Sequence, residues 1–233
     1  MQRLKSIFTK LKNGEDSSMI LKFCGFKSEE DIEKVKNLNV DAIGFIHFPR
    51  SKRHVSMNQL KLLSKRVPDH IHRVVVLVNP TLDLVKQVFN ETNINVIQLH
   101  GSESIQLIKA IRKLNPTIKI FKAIPADKYL NRNIEKYEET VDLFIIDTPS
   151  QNYGGTGDTY DWNVLSNIRK SRFLIAGGLD INHISKLKYL KLGQSGYDIA
   201  SGIETDNIKD LAKMTQIIKI IKGDERNEHT NRS

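Results

Sequence analysis

Eight short apolar runs, rich in β-branched residues, recur along this chain at intervals of roughly 20 to 30 residues, each followed by a polar stretch with helical spacing. The runs cover 21–26, 42–47, 73–78, 96–100, 118–124, 143–147, 173–177 and 197–200. One strand, one helix and two short loops account for such an interval. The intervening segments carry the matching pattern: Ile32, Val35 and Leu38 lie three apart, and Leu82, Val85 and Phe89 three and four apart. Ser28 precedes Glu29, Glu30 and Asp31, which is a capping residue followed by acids suited to a first helical turn. Eight such units predict an α/β chain folded as a (β/α)8 TIM barrel. The rival, an open doubly wound sheet, would carry a glycine-rich turn after its first strand. This chain has Cys24-Gly25-Phe26-Lys27 there instead.

A length of 233 residues, 39% of them hydrophobic and 27% charged, suits one sizeable core, so a single domain is expected over 19–222. Residues 1–18 read as an N-terminal extension, whether a disordered basic arm, a peripheral helix or the product of an upstream start, and 223–233 as a polar disordered tail. No apolar run reaches the roughly 18 to 20 residues that span a bilayer, and the N-terminus mixes charged with apolar residues where a signal peptide would be continuously apolar. A cytoplasmic protein without a membrane partner is expected. The single cysteine cannot form an intramolecular disulfide, which leaves its thiol free for chemistry. A net charge of +9 raises the question of nucleic acid, but the Lys and Arg residues are dispersed along helical stretches, as at Lys61, Lys65 and Arg66. That is the pattern of a solvated helix surface, so no nucleic-acid partner is expected and the charge is a mild attractor for an anionic small molecule.

Two reactive side chains close predicted strands: Cys24 ends the first and Asp147 the sixth. In a barrel, residues at the C-terminal strand ends usually read as catalytic. The bland readings are an inert buried cysteine and a turn-forming aspartate. Period-two alternation puts Lys22 on the same side as Cys24, the barrel interior, where its charge would bias the thiol toward thiolate. Gln98 and His100 alternate onto one side of the fourth strand and line the same pocket, with His100 read as structural rather than catalytic. Glycines cluster late. Gly177 and Gly178 follow the seventh strand, and Ser201 and Gly202 the eighth, where barrel loops commonly bind phosphate through exposed backbone N–H groups. Gly154-Gly155-Thr156-Gly157 lacks the Lys-Ser/Thr of a P-loop and reads as a loop over the active site. Seven histidines without ligand spacing give no metal site.

These residues together resemble the phosphoribosylanthranilate isomerase family. The resemblance rests on ordered motifs spanning about 19–222: Lys22-Phe23-Cys24-Gly25, Gly44-Phe45, Ser51-Lys52-Arg53, Gln98-Leu99-His100-Gly101, Asp147 with Tyr153-Gly154-Gly155-Thr156-Gly157 and Asp161-Trp162, Ala176-Gly177-Gly178-Leu179, and Ser201-Gly202-Ile203-Glu204 with Lys209-Asp210. It implies an Amadori rearrangement of N-(5-phosphoribosyl)anthranilate in tryptophan biosynthesis, without metal or organic cofactor. Asp147 would be the general acid, Cys24 the general base, and Arg53 the contact to the anthranilate carboxylate. The remaining substrate contacts would come from Gln98, His100, Gly155, Gly177, Gly178, Ser201 and Gly202. An aspartic acid near its reference value of about 3.9 is ionised at neutral pH. The acid role therefore calls for desolvation of Asp147 or a nearby anion such as the substrate carboxylate. Family members are mostly monomers with some dimers, which implies a monomer with a dimer as the alternative.

The chain departs from the family pattern in places. Residues 1–18 precede Met19, where family members usually begin. Lys27 stands where the family often has Thr, and Ala200-Ser201-Gly202 replaces a Ser-Ser-Gly, removing one hydroxyl from the eighth loop. Two other readings compete: a related phosphate-binding barrel isomerase or synthase, and a non-catalytic phosphate-ligand barrel. The first would use paired aspartates, or a lysine with a glutamate. The second would lack the acid or the base, and this chain has both Cys24 and Asp147.

Overall fold

The computed structural model of the chain describes residues 19–148, 162–168, 170–190 and 192–223. Eight parallel strands close on themselves in sequence order: β1 (Ile20–Cys24), β2 (Ala42–Ile46), β3 (His72–Leu77), β4 (Val96–Leu99), β5 (Lys119–Pro125), β6 (Leu143–Asp147), β7 (Phe173–Ala176) and β8 (Gly196–Ile199). The expected barrel is the observed one, with most strand limits shifted by one or two residues. Closure pairs β1 with β8, aligning Lys22 with Asp198. Residues 1–18, read as an extension, and 154–157, read as a loop over the active site, lie outside the described residues, as does the tail beyond Gly223.

Helices α1 (Glu29–Val35), α2 (Met57–Arg66), α3 (Leu82–Glu91), α4 (Ile105–Leu114), α5 (Leu130–Tyr137), α6 (Ile181–Leu187) and α7 (Leu211–Lys222) lie outside the strands. Most begin with one device. Ser28, Ser56, Thr81, Ser104, Asp180 and Asp210 each accept a hydrogen bond from a backbone N–H of the first turn, which satisfies donors that a helix start leaves unpaired. Between β6 and β7, a 3-10 helix, Trp162–Asn167, occupies the place of a full helix among the described residues. After β8 a short 3-10 turn, Ser201–Ile203, leads into a two-stranded hairpin, β9 (Glu204–Thr205) and β10 (Ile208–Lys209). Asp206 and Asn207 form its turn at φ 52° and 61°, the backbone that a tight hairpin requires and that Asp and Asn tolerate best after glycine.

Strand alternation divides the core into two layers. Outward residues such as Phe23, Phe45, Val75, Ile97, Phe144 and Phe173 pack against the helices, while Ile20, Ala42, Val74, Val96, Phe121, Leu143 and Leu174 fill the barrel's own interior. Above that inner apolar floor, toward the C-terminal strand ends, the inward positions change chemistry to Lys22, Cys24, Gln98 and Asp198, all buried. The floor seals the bottom and the polar layer forms the base of the mouth.

Candidate active site

Cys24 and Asp147 end β1 and β6 at the same rim of the barrel. Their burial differs sharply. The Cys24 side chain sits in the polar layer with 6% of its surface exposed, whereas Asp147 keeps 46% of its side chain exposed in the mouth. Gly44, the β2 residue registered with Cys24, makes the room: a Cβ there would lie 2.7 Å from the thiol Sγ and 3.2 Å from Lys22 Nζ. Thiol and ammonium therefore converge on space that only glycine leaves.

Lys22 is wholly buried, and its Nζ donates to both oxygens of Asp198 at 2.8 Å. Burial of the ammonium is the largest influence and works to lower the Lys22 pKa, but Asp198 and Cys24 together outweigh it and the net shift is upward. For Cys24, burial is the largest influence and pushes the thiol up; the Lys22 charge pulls it down and Asp198 pushes it up again, leaving it raised. The expected pull from Lys22 is present, but the net bias toward thiolate is not. Sequence alternation located the lysine, but neither the extent of desolvation nor the carboxylate 176 residues away was visible locally.

Arg53, on the loop after β2, is held by Glu204. Its Nε donates to Oε1 at 2.7 Å and its Nη2 to Oε2 at 2.5 Å. Lys209 Nζ donates to the same Oε1 at 2.7 Å, to the carbonyl of Cys24 at 2.6 Å and to that of Ala200 at 3.3 Å. Burial raises the Glu204 pKa, but the two cations overwhelm that and hold the carboxyl at about 2. The hub ties together the end of β1, the β2 loop and the β8 loop. Glu204 and Lys209 belong to the last sequence motif, yet their role depends on the return of the hairpin over β1.

Gln98 is buried, as the alternation of β4 predicts, and its Oε1 has no hydrogen-bond partner. Its amide nitrogen lies 3.4 Å from His100 Nδ1. With that amide donating, the ring proton sits on Nε2, 3.6 Å from Asp147 Oδ2. His100 is thus an open rim residue beside Asp147, 39% exposed. The loop that carries it is stapled by a buried pair that sequence reasoning missed. Glu103 Oε1 accepts from the N–H groups of Asn79 at 3.0 Å and Gly101 at 2.8 Å, its Oε2 lies 3.1 Å from Lys122 Nζ, and that Nζ donates to the Gly101 carbonyl at 2.8 Å. A charged residue inside the apolar run of β5 was the available signal.

The loops after β6, β7 and β8 press on one another. A Cβ on Gly177 would sit 2.0 Å from the Thr148 carbonyl, and one on Gly202 the same distance from that of Leu179. Gly177 also has φ +94°. Both glycines are therefore required by close backbone approach, whatever they bind. Gly178 and Ser201 are exposed beside them. Gly155 lies outside the described residues.

Residues 21–220 match the sequence profile of the N-(5'phosphoribosyl)anthranilate (PRA) isomerase family. The chain belongs to that family. It is 60% identical over 207 residues to the N-(5'-phosphoribosyl)anthranilate isomerase of Staphylococcus epidermidis, covering 89% of this chain and all of the relative. It is 52% identical over 210 residues to the Staphylococcus aureus enzyme, covering 90% and 100%. Among solved structures, the Thermotoga maritima phosphoribosyl anthranilate isomerase superposes with a TM-score of 0.76 at 29% identity, over 88% of this chain and 99% of that one. Another, at 26% identity and TM-score 0.76 with the same coverage, was solved in complex with reduced 1-(o-carboxyphenylamino)-1-deoxyribulose 5-phosphate. No helix among the described residues is long and apolar enough to cross a membrane.

Proposed function

We propose that Cys24 is the general base and Asp147 the general acid in this phosphoribosylanthranilate isomerase, with Arg53, Gln98, His100 and the loops after β6, β7 and β8 seating the substrate. The reaction is the Amadori rearrangement of N-(5-phosphoribosyl)anthranilate to 1-(2-carboxyphenylamino)-1-deoxyribulose 5-phosphate in tryptophan biosynthesis. Asp147 gives its proton to the furanose ring oxygen, the C1–O bond breaks, and the anilino nitrogen supplies electrons to form a protonated Schiff base. Cys24, as thiolate, takes the C2 proton; the C–H electrons become the C1–C2 double bond and neutralise the iminium. The enolamine then tautomerises to the ketose. The step needs one acid and one base within reach of one sugar ring.

The environments suit these roles once substrate is counted. Asp147 is half-exposed, so the desolvation an acid needs comes from the seated substrate and its carboxylate. Burial favours the thiol form of Cys24; the base is the thiolate formed when that proton passes to solvent, and the iminium produced by ring opening is a cation that stabilises it beside the C2 proton. Arg53 keeps its Nη1 edge for the anthranilate carboxylate, since Glu204 engages Nε and Nη2. The unpartnered Oε1 of Gln98 fits a ribose hydroxyl, which would remove the cost of a buried unpaired acceptor. Gly177, Gly178, Ser201 and Gly202 supply backbone N–H groups to the phosphate.

The observation that carries this reading is the placement of Cys24 and Asp147 at one rim, above a closed floor, in a chain of this family. Turnover of phosphoribosylanthranilate generated in place, followed as loss of its fluorescence, tests it. Cys24→Ser and Asp147→Asn should each lower kcat by about 10²- to 10⁴-fold; an undamaged variant would place that role elsewhere. A cytoplasmic monomer is the state we assign, and sedimentation of the purified chain at micromolar concentration decides the assembly.

A further inference from the structure

Two charges lie beneath the thiol, and they come from different strands. Lys22 approaches from β1 with its side chain fully buried; Asp198 approaches from β8, at the position registered with Lys22, and is 8% exposed. A buried ammonium left alone would be strongly destabilising, and the two 2.8 Å contacts from Asp198 relieve that. The same ammonium also meets the thiol, because Sγ and Nζ border one small space at Gly44, 2.7 Å and 3.2 Å from where a Cβ would lie. One buried cation thus serves two groups: a carboxylate, and a thiol that becomes anionic only by losing its proton.

We propose that Asp198 is a positioning residue for the base, acting through Lys22: it occupies the buried ammonium and so keeps Cys24 in its thiol form until substrate binds. With Asp198 in place, Lys22 is already neutralised, and ionising Cys24 adds an uncompensated negative charge to a dry site. Without it, loss of the thiol proton would produce a neutral ammonium–thiolate pair. The directions agree, since Asp198 pushes the Cys24 pKa up while Lys22 pulls it down. Other charged groups reach the same thiol: Lys209 from β10, whose Nζ sits on the Cys24 carbonyl, and Arg53 from the β2 loop, both paired with Glu204. They remain constant across the variants below. The chemical consequence is a stronger base, since the thiolate of a thiol with higher proton affinity is the better acceptor of the C2 proton once it has formed, and a lone thiol kept protonated is less open to oxidation.

The proposal rests on Cys24 being the base, but its test does not. Cys24 is the only cysteine in the chain, so the pH dependence of its alkylation rate, read by mass, reports that thiol alone in the full-length protein. Asp198→Asn should lower the thiol midpoint by about one pH unit or more and move the ascending limb of the kcat profile down with it, with KM little changed. Asp198→Glu should return the midpoint toward the parent. If Asp198→Asn folds poorly by circular dichroism, Asp198→Ser, smaller and able to admit a water, carries the same expectation. A midpoint that stays or rises in a folded variant overturns the proposal, as does a shifted midpoint with an unmoved kcat limb. Full activity in Cys24→Ser beside a lowered midpoint in Asp198→Asn would instead refute the base assignment and leave the charge coupling standing.

Discussion

Adding one methyl group at Gly44 should separate folding from catalysis in this barrel. Gly44 is not at positive φ, so alanine can adopt its backbone, and the strand keeps its pairing with Cys24 on one side and Val74 on the other. The new Cβ would meet Sγ at 2.7 Å, Lys22 Nζ at 3.2 Å and Lys22 Cε at 3.4 Å. Ordinary contact lies near 3.5–4.0 Å, so the thiol must retreat by about 1 Å. Overpacking of this kind costs about 1–3 kcal/mol, and the loss of glycine's freedom in the unfolded chain offsets about 0.4–1 kcal/mol of it. A net loss on the order of 1 kcal/mol leaves most of a typical 5–15 kcal/mol of stability. A reactive atom misplaced by about 1 Å can cost about 10²-fold in rate. Gly44→Ala should therefore unfold in urea at a midpoint close to the parent's while kcat falls by about two orders of magnitude. A folded variant with kcat within twofold of the parent would refute the argument that this glycine exists to seat the thiol.

Three further expectations concern the surroundings of the pair. Glu204, held at about 2 against a usual 4.5, contributes stability that is present above pH 4.5 and is lost as pH falls through 2. The gap between the parent and Glu204→Gln in denaturant melts should close by about 3 kcal/mol over that window, and a gap independent of pH would remove the ion-pair account. Gln98→Met deletes a buried unpaired acceptor, so by calorimetry the protein should be unchanged or more stable by about 1 kcal/mol while KM rises; a destabilised variant with unchanged KM would mean Oε1 serves the fold instead. Glu103→Gln leaves the buried Lys122 charge without its carboxylate and should destabilise the chain by about 3–5 kcal/mol, read as a lower urea midpoint.

The sequence determined the barrel, because strand and helix periods are local properties that neighbouring residues write directly into the chain. The eight apolar runs fall on the eight strands, and Ser28 caps the helix it was expected to cap. The same local logic placed Cys24 and Asp147 at strand ends, put Lys22 inside, and turned Gln98 inward. It did not reach the partners. Asp198, Glu204 and Lys209 come to the thiol and to Arg53 only because the closed ring brings β8 and the hairpin beside β1. The charge state of Cys24 lies further still from the sequence. It is set by the sum of burial and every charge around it, and burial, which belongs to the whole fold, outweighs the neighbouring lysine that the chain itself announces.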